Sequence, residues 1–146
     1  MDFMKEALIE AENAMKEKEI PVGAIVVKDG TIIGRGHNQK ERLKNPIEHA
    51  EIRAIREACS NIGDWRLNGC EMYVTLEPCP MCAGAILQSR ISKLYIGTFN
   101  KDMGACGSIV NLVDNRSLNS FVNVKWTYDE RCSELLKIFF ESKRKG

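Results

Sequence analysis

Four side chains in this sequence have the types and spacing to hold a metal ion and move a proton. They are Cys79 and Cys82 in "LEPCPMCAGA", and His49 and Glu51 in "HAE". Pro80 directly follows Cys79. Proline suits the first position of a helix, because its missing N–H would have no partner there. The spacing therefore predicts that both sulfurs lie near a helix N-terminus, where exposed amides favour thiolate over thiol. Thiolate is the form that binds zinc, and a catalytic zinc takes three protein ligands and keeps a fourth position open. The chain holds 2 histidines, His37 and His49. His49 lies about 30 residues before Cys79 and opens a predicted helix. On an ideal helix Glu51 does not share His49's ligating direction, but near a helix start it can face the open zinc position. A metal that lowers the pKa of water toward about 7, with a carboxylate beside it, is an arrangement for metal-assisted proton transfer. Taken alone, Cys79-x-x-Cys82 reads as a structural zinc or a redox pair rather than as a catalytic site. A closed structural zinc needs four ligands, and the spare histidine, His37, belongs to a separate predicted hairpin.

Those residues need a scaffold, and the hydrophobic pattern supplies one. Residues 2–18 carry Phe3, Leu8, Ala11 and Met15 at helical spacing. "VGAIVVKDGTIIGRG" reads as two β-branched runs around Asp29-Gly30, a tight hairpin turn. "HAEIRAIREAC" places Ile52, Ile55 and Ala58 on one helical face. Then come a strand in "CEMYVTL", a helix in "CAGAILQSR" and a strand in "KLYIGTF". A helix or turn over 108–114, a strand in "VNVKW" and an amphipathic helix in "DERCSELLKIFFESKRK" complete the chain. Strands and helices alternate after the hairpin, which implies an α/β fold with a mostly parallel sheet and helices on its faces. Cys79 falls where a strand ends and a helix begins, and sites in open sheets form at the carboxyl ends of strands.

At 146 residues the chain reads as one domain, 1–146. A domain of this size buries roughly two-thirds of its unfolded surface, so neither disulfides nor a structural metal are needed for folding. Its 44% hydrophobic and 28% charged residues place it with globular proteins rather than disordered chains. No apolar run approaches the roughly 20 residues that span a bilayer. "MDFMKEALIEAENAMKEKE" is charged throughout and lacks a signal-peptide core, so the expected location is the cytoplasm and no membrane partner is expected. There thiols stay reduced; Cys59, Cys70, Cys106 and Cys132 then read as small buried apolar residues. A net charge of +1 announces no nucleic-acid partner. The end, "FFESKRKG", gathers Lys143, Arg144 and Lys145, which alone reads as a solvated tail.

His-x-Glu followed by Pro-Cys-x-x-Cys is the known signature of zinc-dependent nucleobase deaminases of the cytidine and deoxycytidylate deaminase superfamily. Within it, this chain resembles the bacterial tRNA-specific adenosine deaminases over almost its whole length. The resemblance rests on "IPVGAIVVKDG", "GHN", "HAEIRAIREA", "WRLNGCEMYVTLEPCPMCAGAI", "SRISKLYIGT", "GACGSIVNL", "LNSF" and "CSELLKIFF". It implies a three-layer α/β/α cytidine-deaminase-like fold on a mixed, mostly parallel five-stranded sheet. It implies one Zn2+ per chain on His49, Cys79 and Cys82, with Glu51 as proton shuttle. Asn38 matches an asparagine that hydrogen-bonds the flipped-out base, and Val22 an apolar residue packed on the purine. Asn119 and Phe140 match positions that touch RNA around that base. The implied partners are a tRNA anticodon loop and a second copy of the chain, with no other protein partner. The implied reaction is hydrolytic deamination of the wobble adenosine to inosine.

Three positions depart from the family pattern. Glu48 puts an acid next to His49 in "NPIEHAE"; Asn100 stands where the family often has Asp, and Asp102 where it often has Lys. Asp102 in place of Lys removes a phosphate contact and adds repulsion, so RNA binding is expected to be weaker or more selective. Phe139 and Phe140 are adjacent and cannot both face the core; Phe139 is expected inward, Phe140 toward substrate. His37 is expected to serve the scaffold. Two rival readings are a deaminase of a free base or nucleoside (guanine, cytosine or cytidine) and a zinc-stabilised binding module. The C-terminal helix with its basic end speaks against the first, and an unligated Glu51 against the second.

Overall fold

The computed structural model describes residues 1–145. Helix α1 (Phe3–Lys16) starts at Asp2, whose carboxylate accepts from the Lys5 N–H at 3.1 Å and caps the first turn. Strands β1 (Gly23–Lys28) and β2 (Thr31–His37) form the expected hairpin. Asp29 and Gly30 turn it with φ of 49° and 78°, the doubly positive pair that matches strand twist. There follow α2 (Ala50–Ile62), β3 (Glu71–Leu76), α3 (Pro80–Gln88) and β4 (Lys93–Thr98). The segment read as helix or turn over 108–114 is turn, with one isolated bridge between Cys106 and Asn111. A two-stranded ribbon of β5 (Asp114–Asn115) and β6 (Ser120–Phe121) follows it, around a 3-10 turn at Arg116–Leu118. Strand β7 (Asn123–Trp126) and helix α4 (Glu130–Lys145) end the chain. In the basic cluster read from the sequence, the Lys145 side chain and Gly146 lie outside the described residues.

The five-stranded sheet has the order β2-β1-β3-β4-β7. It is mixed and mostly parallel in strand direction, as expected: β2, β3, β4 and β7 run one way and β1 alone runs against them. The β1–β2 and β1–β3 pairings are antiparallel, and β3–β4 and β4–β7 are parallel. The reason is topological: the hairpin reverses β1 relative to β2, and β3 then joins the free edge of β1 in the opposite sense.

Side chains alternate across the sheet and divide the core in two. Ala24, Val26, Met72, Val74, Leu94 and Ile96 face the layer of α2 and α3. Tyr73 and Tyr95, paired in register and stacked at 4.2 Å, face the layer of α1 and α4 with Met4, Leu8 and Cys132. Full burial of a side chain such as Leu94 or Ile96 stabilises the fold by about 1.5–3 kcal/mol each. The three layers are therefore helices, sheet, helices. Helix α2 lies unusually close to the sheet. A Cβ on Gly34 would stand 2.3 Å from the Ala54 carbonyl oxygen, and one on Gly36 2.6 Å from that of Ala50. With Ala50, Ala54 and Ala58 on the facing side of the helix, this contact seats the start of α2 against the end of β2.

Candidate active site

His49 is the residue capping α2 from the outside, and Cys79 holds the same place on α3. Neither side chain makes a capping hydrogen bond. For α2 that task falls to Asn38, whose Oδ1 accepts from the Ala50 N–H at 2.9 Å. His49 is thus free to turn its ring toward α3. Pro80 occupies the first turn of α3, as the sequence predicted, and Cys82 sits one turn in, fully buried.

The His49 Nδ1 lies 3.7 Å from the Cys79 Sγ and 3.5 Å from the Cys82 Sγ. All three ligand atoms lie within 4.8 Å of one another. Tetrahedral zinc with ordinary Zn–S and Zn–N bonds requires N···S separations of about 3.6 Å. The donor set fits that ion in kind and in spacing. Electrostatics agree. The Cys79 thiol is drawn down to about 4, first by its hydrogen bond with Cys82, then by His49 and the α3 backbone amide. The Cys82 thiol is pushed up, because it is the buried partner that keeps the shared proton. His49 is raised above its ordinary value, chiefly by its contact with Cys79.

Glu51 lies in the first turn of α2 and is 4% exposed. Burial raises its carboxyl to about 7, assisted by the negative charge of Cys79 and opposed by its own backbone amide and by His49. A carboxyl near 7 both accepts and returns protons at neutral pH. Glu51, His49 and Cys79 line a pocket of about 380 Å3 at the carboxyl ends of β3 and β4.

Two of the substrate residues expected from the sequence, Val22 and Asn38, line the same pocket. Asn38 is held by two main-chain contacts, from Ala50 N–H to its Oδ1 and from its Nδ2 to the Ile20 carbonyl at 3.2 Å. Asn119 is exposed at the end of the 3-10 turn, outside the pocket lining. Phe140 is also outside it and 44% exposed, whereas the buried Phe139 forms part of the wall. The two rings meet edge to face at 5.4 Å, and the Lys143 Nζ stands 5.3 Å over the Phe139 ring. The inward ring is therefore the one at the pocket, because α4 borders the pocket with its buried side.

Glu48 is next to His49 in sequence but turns away from it. Its carboxylate accepts from Arg53 at 2.7 Å and pairs with Arg56 at 3.1 Å, which hold its carboxyl below the usual range. His37 is remote from the metal ligands and bonded to Glu10 at 2.9 Å and Glu17 at 3.2 Å. Asp102 is exposed, and its N–H donates to the Asn100 Oδ1. Sequence reasoning passed over several lining residues: Lys18, Lys40, Glu19, Glu77 and Met103. Glu77, in "LEPC", sits one residue from a recognised motif, yet nothing local marks it as buried.

A family model for the cytidine and deoxycytidylate deaminase zinc-binding region matches residues 1–98. The chain belongs to the cytidine and deoxycytidylate deaminase family. It is a zinc-binding deaminase, and His49, Cys79 and Cys82 form a cluster among the described residues that could hold the ion. A tRNA-specific adenosine deaminase of Aquifex aeolicus is 48% identical over 144 residues, 97% of this chain and 94% of that protein. The protein of the same name from Bacillus subtilis is 44% identical over 144 residues, 98% and 89% of the two chains. Among solved structures, one from a study of A-to-I editing by tRNA:A34 deaminases at the wobble position of transfer RNA superposes with a TM-score of 0.87. It is 40% identical, over 91% of this chain and 97% of that one. The guanine deaminase of Bacillus subtilis, 30% identical over 99% of this chain and 92% of its own, gives a TM-score of 0.63.

Proposed function

We propose that the protein hydrolyses adenosine to inosine at the wobble position of a tRNA anticodon loop. The observation that carries the reading is that the buried Glu51 lines one pocket with His49 and Cys79, whose ligand atoms cluster with that of Cys82 within 4.8 Å. His49, Cys79 and Cys82 would hold the zinc, which would supply the positive charge that makes a water nucleophilic at neutral pH. Glu51 takes the proton of that water and delivers it to purine N1 as the oxygen adds to C6. Glu51 then carries the proton of the new C6 hydroxyl to the amine as the C6–N6 bond breaks and C6=O forms, so adenosine and water become inosine and ammonia. The main-chain contacts of Asn38 fix its amide, and its remaining N–H and lone pair serve the base edge. Val22 and Phe139 pack against the purine.

A base in a single-stranded loop leaves its stack at low cost. Lys18, Lys40 and Lys143 among the lining residues suit phosphates on either side of it. Asn119 and Phe140, exposed beyond the pocket, are then contacts for neighbouring nucleotides. Names of the curated relatives support a tRNA substrate. We place the whole activity in a single domain, 1–146, working in the cytoplasm. No helix among the described residues is long and apolar enough to cross a membrane. We further propose a homodimer, supported by four large apolar side chains after β4, Phe99, Ile109, Phe121 and Tyr128, that are each more than half exposed. The direct test offers zinc-loaded protein tRNA, free adenosine and free guanine in parallel. Inosine formed in tRNA alone supports the reading; turnover of a free base or nucleoside instead overturns it.

A further inference from the structure

We infer that Glu19 and Glu77 are positioning residues, each holding one loop wall of the pocket through a buried carboxylate that accepts main-chain N–H groups. The inference rests on the pocket being the substrate site proposed above. Both side chains are almost fully buried, at 2% and 1% exposure.

Glu77 stands between the end of β3 and Cys79. Its Oε1 accepts from the Asn100 N–H at 3.0 Å and from the Ser108 hydroxyl. Its Oε2 accepts from the Cys106 N–H at 2.9 Å and the Ser108 N–H at 3.1 Å. All four donors belong to the loop after β4. That loop is drawn so close that a Cβ on Gly104 would lie 2.4 Å from Oε1. The backbone reinforces the seam, with Ala105 N–H donating to the Pro78 carbonyl at 2.9 Å. The loop brings Asn100 and Met103 to the pocket.

Glu19 does the same for the other wall. Its Oε1 accepts from the Glu41 N–H at 3.1 Å and its Oε2 from the Arg42 N–H at 2.7 Å. That loop leaves β2 and carries Asn38, Lys40 and Glu41 to the pocket. Neither loop has regular secondary structure to set its shape. A carboxylate is suited to the task because it accepts on both oxygens, and hydrogen bonds to an ionised acceptor are roughly twice as strong as neutral ones. Glutamine has the same size but turns an NH2 group toward donors, so one loop amide at each site loses its partner.

Glu51 and the metal ligands are carried by α2 and α3 rather than by these loops. Loosening a wall should therefore weaken substrate binding more than the chemical step. The test uses full-length, zinc-loaded Glu77→Gln and Glu19→Gln, with hydrogen exchange read by peptide and with steady-state kinetics. We expect unchanged zinc content. Exchange should quicken over 100–108 in the first variant and over 41–42 in the second. KM for the RNA loop should rise on the order of 10-fold, with a smaller fall in kcat. Ser108→Ala, which removes one donor, keeps the test open if Glu77→Gln fails to fold; it should show the same changes, smaller. Unchanged loop exchange overturns the inference. So does a lowered melting temperature with KM and kcat intact, or lost zinc with the loops still protected. If wild-type protein turns over a free base and not RNA, the proposed substrate falls, and the exchange data with that base's KM still decide the role of the two carboxylates.

Discussion

Glu51 and Cys82 separate two kinds of loss. Glu51→Ala removes the proposed proton carrier and leaves the proposed metal ligands in place, so zinc content should stay at the wild-type level. Turnover should drop by about 10²–10⁴-fold, the usual share of a positioned acid–base group. Cys82→Ala removes a fully buried thiol proposed as a ligand and should lose zinc and activity together, as metal analysis beside a single-turnover assay will read. These residues were legible because their chemistry is local. Pro-Cys-x-x-Cys marks a helix start by itself, and His-x-Glu puts a ligand and a carboxylate within one turn. Glu77 was not legible, since its partners lie 23 to 31 residues downstream and a glutamate before proline reads as surface. Adjacency showed that Phe139 and Phe140 must face differently. It could not show that the buried side of α4 borders the pocket, which puts Phe139 rather than Phe140 in the wall.

Elements are held in register by contacts that differ in their response to pH and to side-chain size. His37 at the end of β2 lies between Glu10 and Glu17 of the α1 region, with Arg35 also on Glu10 and Gln39 on Glu17. The hydrogen bond to Glu10 raises the His37 pKa, and the contact with His37 lowers that of Glu10. A raised histidine stabilises fully below its unfolded value near 6.5, and the contribution fades as pH climbs through the folded value. A lowered carboxyl stabilises above its unfolded value and is lost as pH falls through the folded one. Melting temperature should thus decline as pH rises from 6 toward 9 by more in wild type than in His37→Gln. Gly36→Ala tests the seat of α2. Its Cβ would meet the Ala50 carbonyl at 2.6 Å, so the helix must move away, at a cost of about 1–3 kcal/mol seen in thermal unfolding. Weaker zinc binding should accompany it, because His49 moves with that end of α2. Periodicity revealed the long helices and the five main strands. The β5–β6 ribbon escaped because two residues per strand carry no pattern. Antiparallel β1–β3 pairing escaped because strand order depends on contacts that no local window contains.

The whole molecule meets its substrate with a net charge of only +1, so RNA affinity must come from where the cations stand. Lys18, Lys40 and Lys143 line the pocket, and each phosphate contact should release close to one counterion. Lys143→Ala should therefore lower the slope of log KM against log salt by about one, while leaving kcat at saturating RNA nearly unchanged. The proposed homodimer, which would cover Phe99, Ile109, Phe121 and Tyr128, predicts twice the chain mass in sedimentation analysis; a monomer there rules it out. The central claim concerns which atom in which molecule is changed. It is tested most directly by incubating transcribed tRNAs that carry adenosine at the wobble position with wild-type protein and with Glu51→Ala. Reverse transcription then reads every adenosine in the anticodon loop, inosine registering as guanosine. The expected result is conversion at the wobble adenosine by wild type, none elsewhere in the loop, and conversion about 10²–10⁴-fold slower by Glu51→Ala. Unconverted wobble adenosine under conditions where the same protein deaminates a free base, or full conversion by Glu51→Ala, would contradict it.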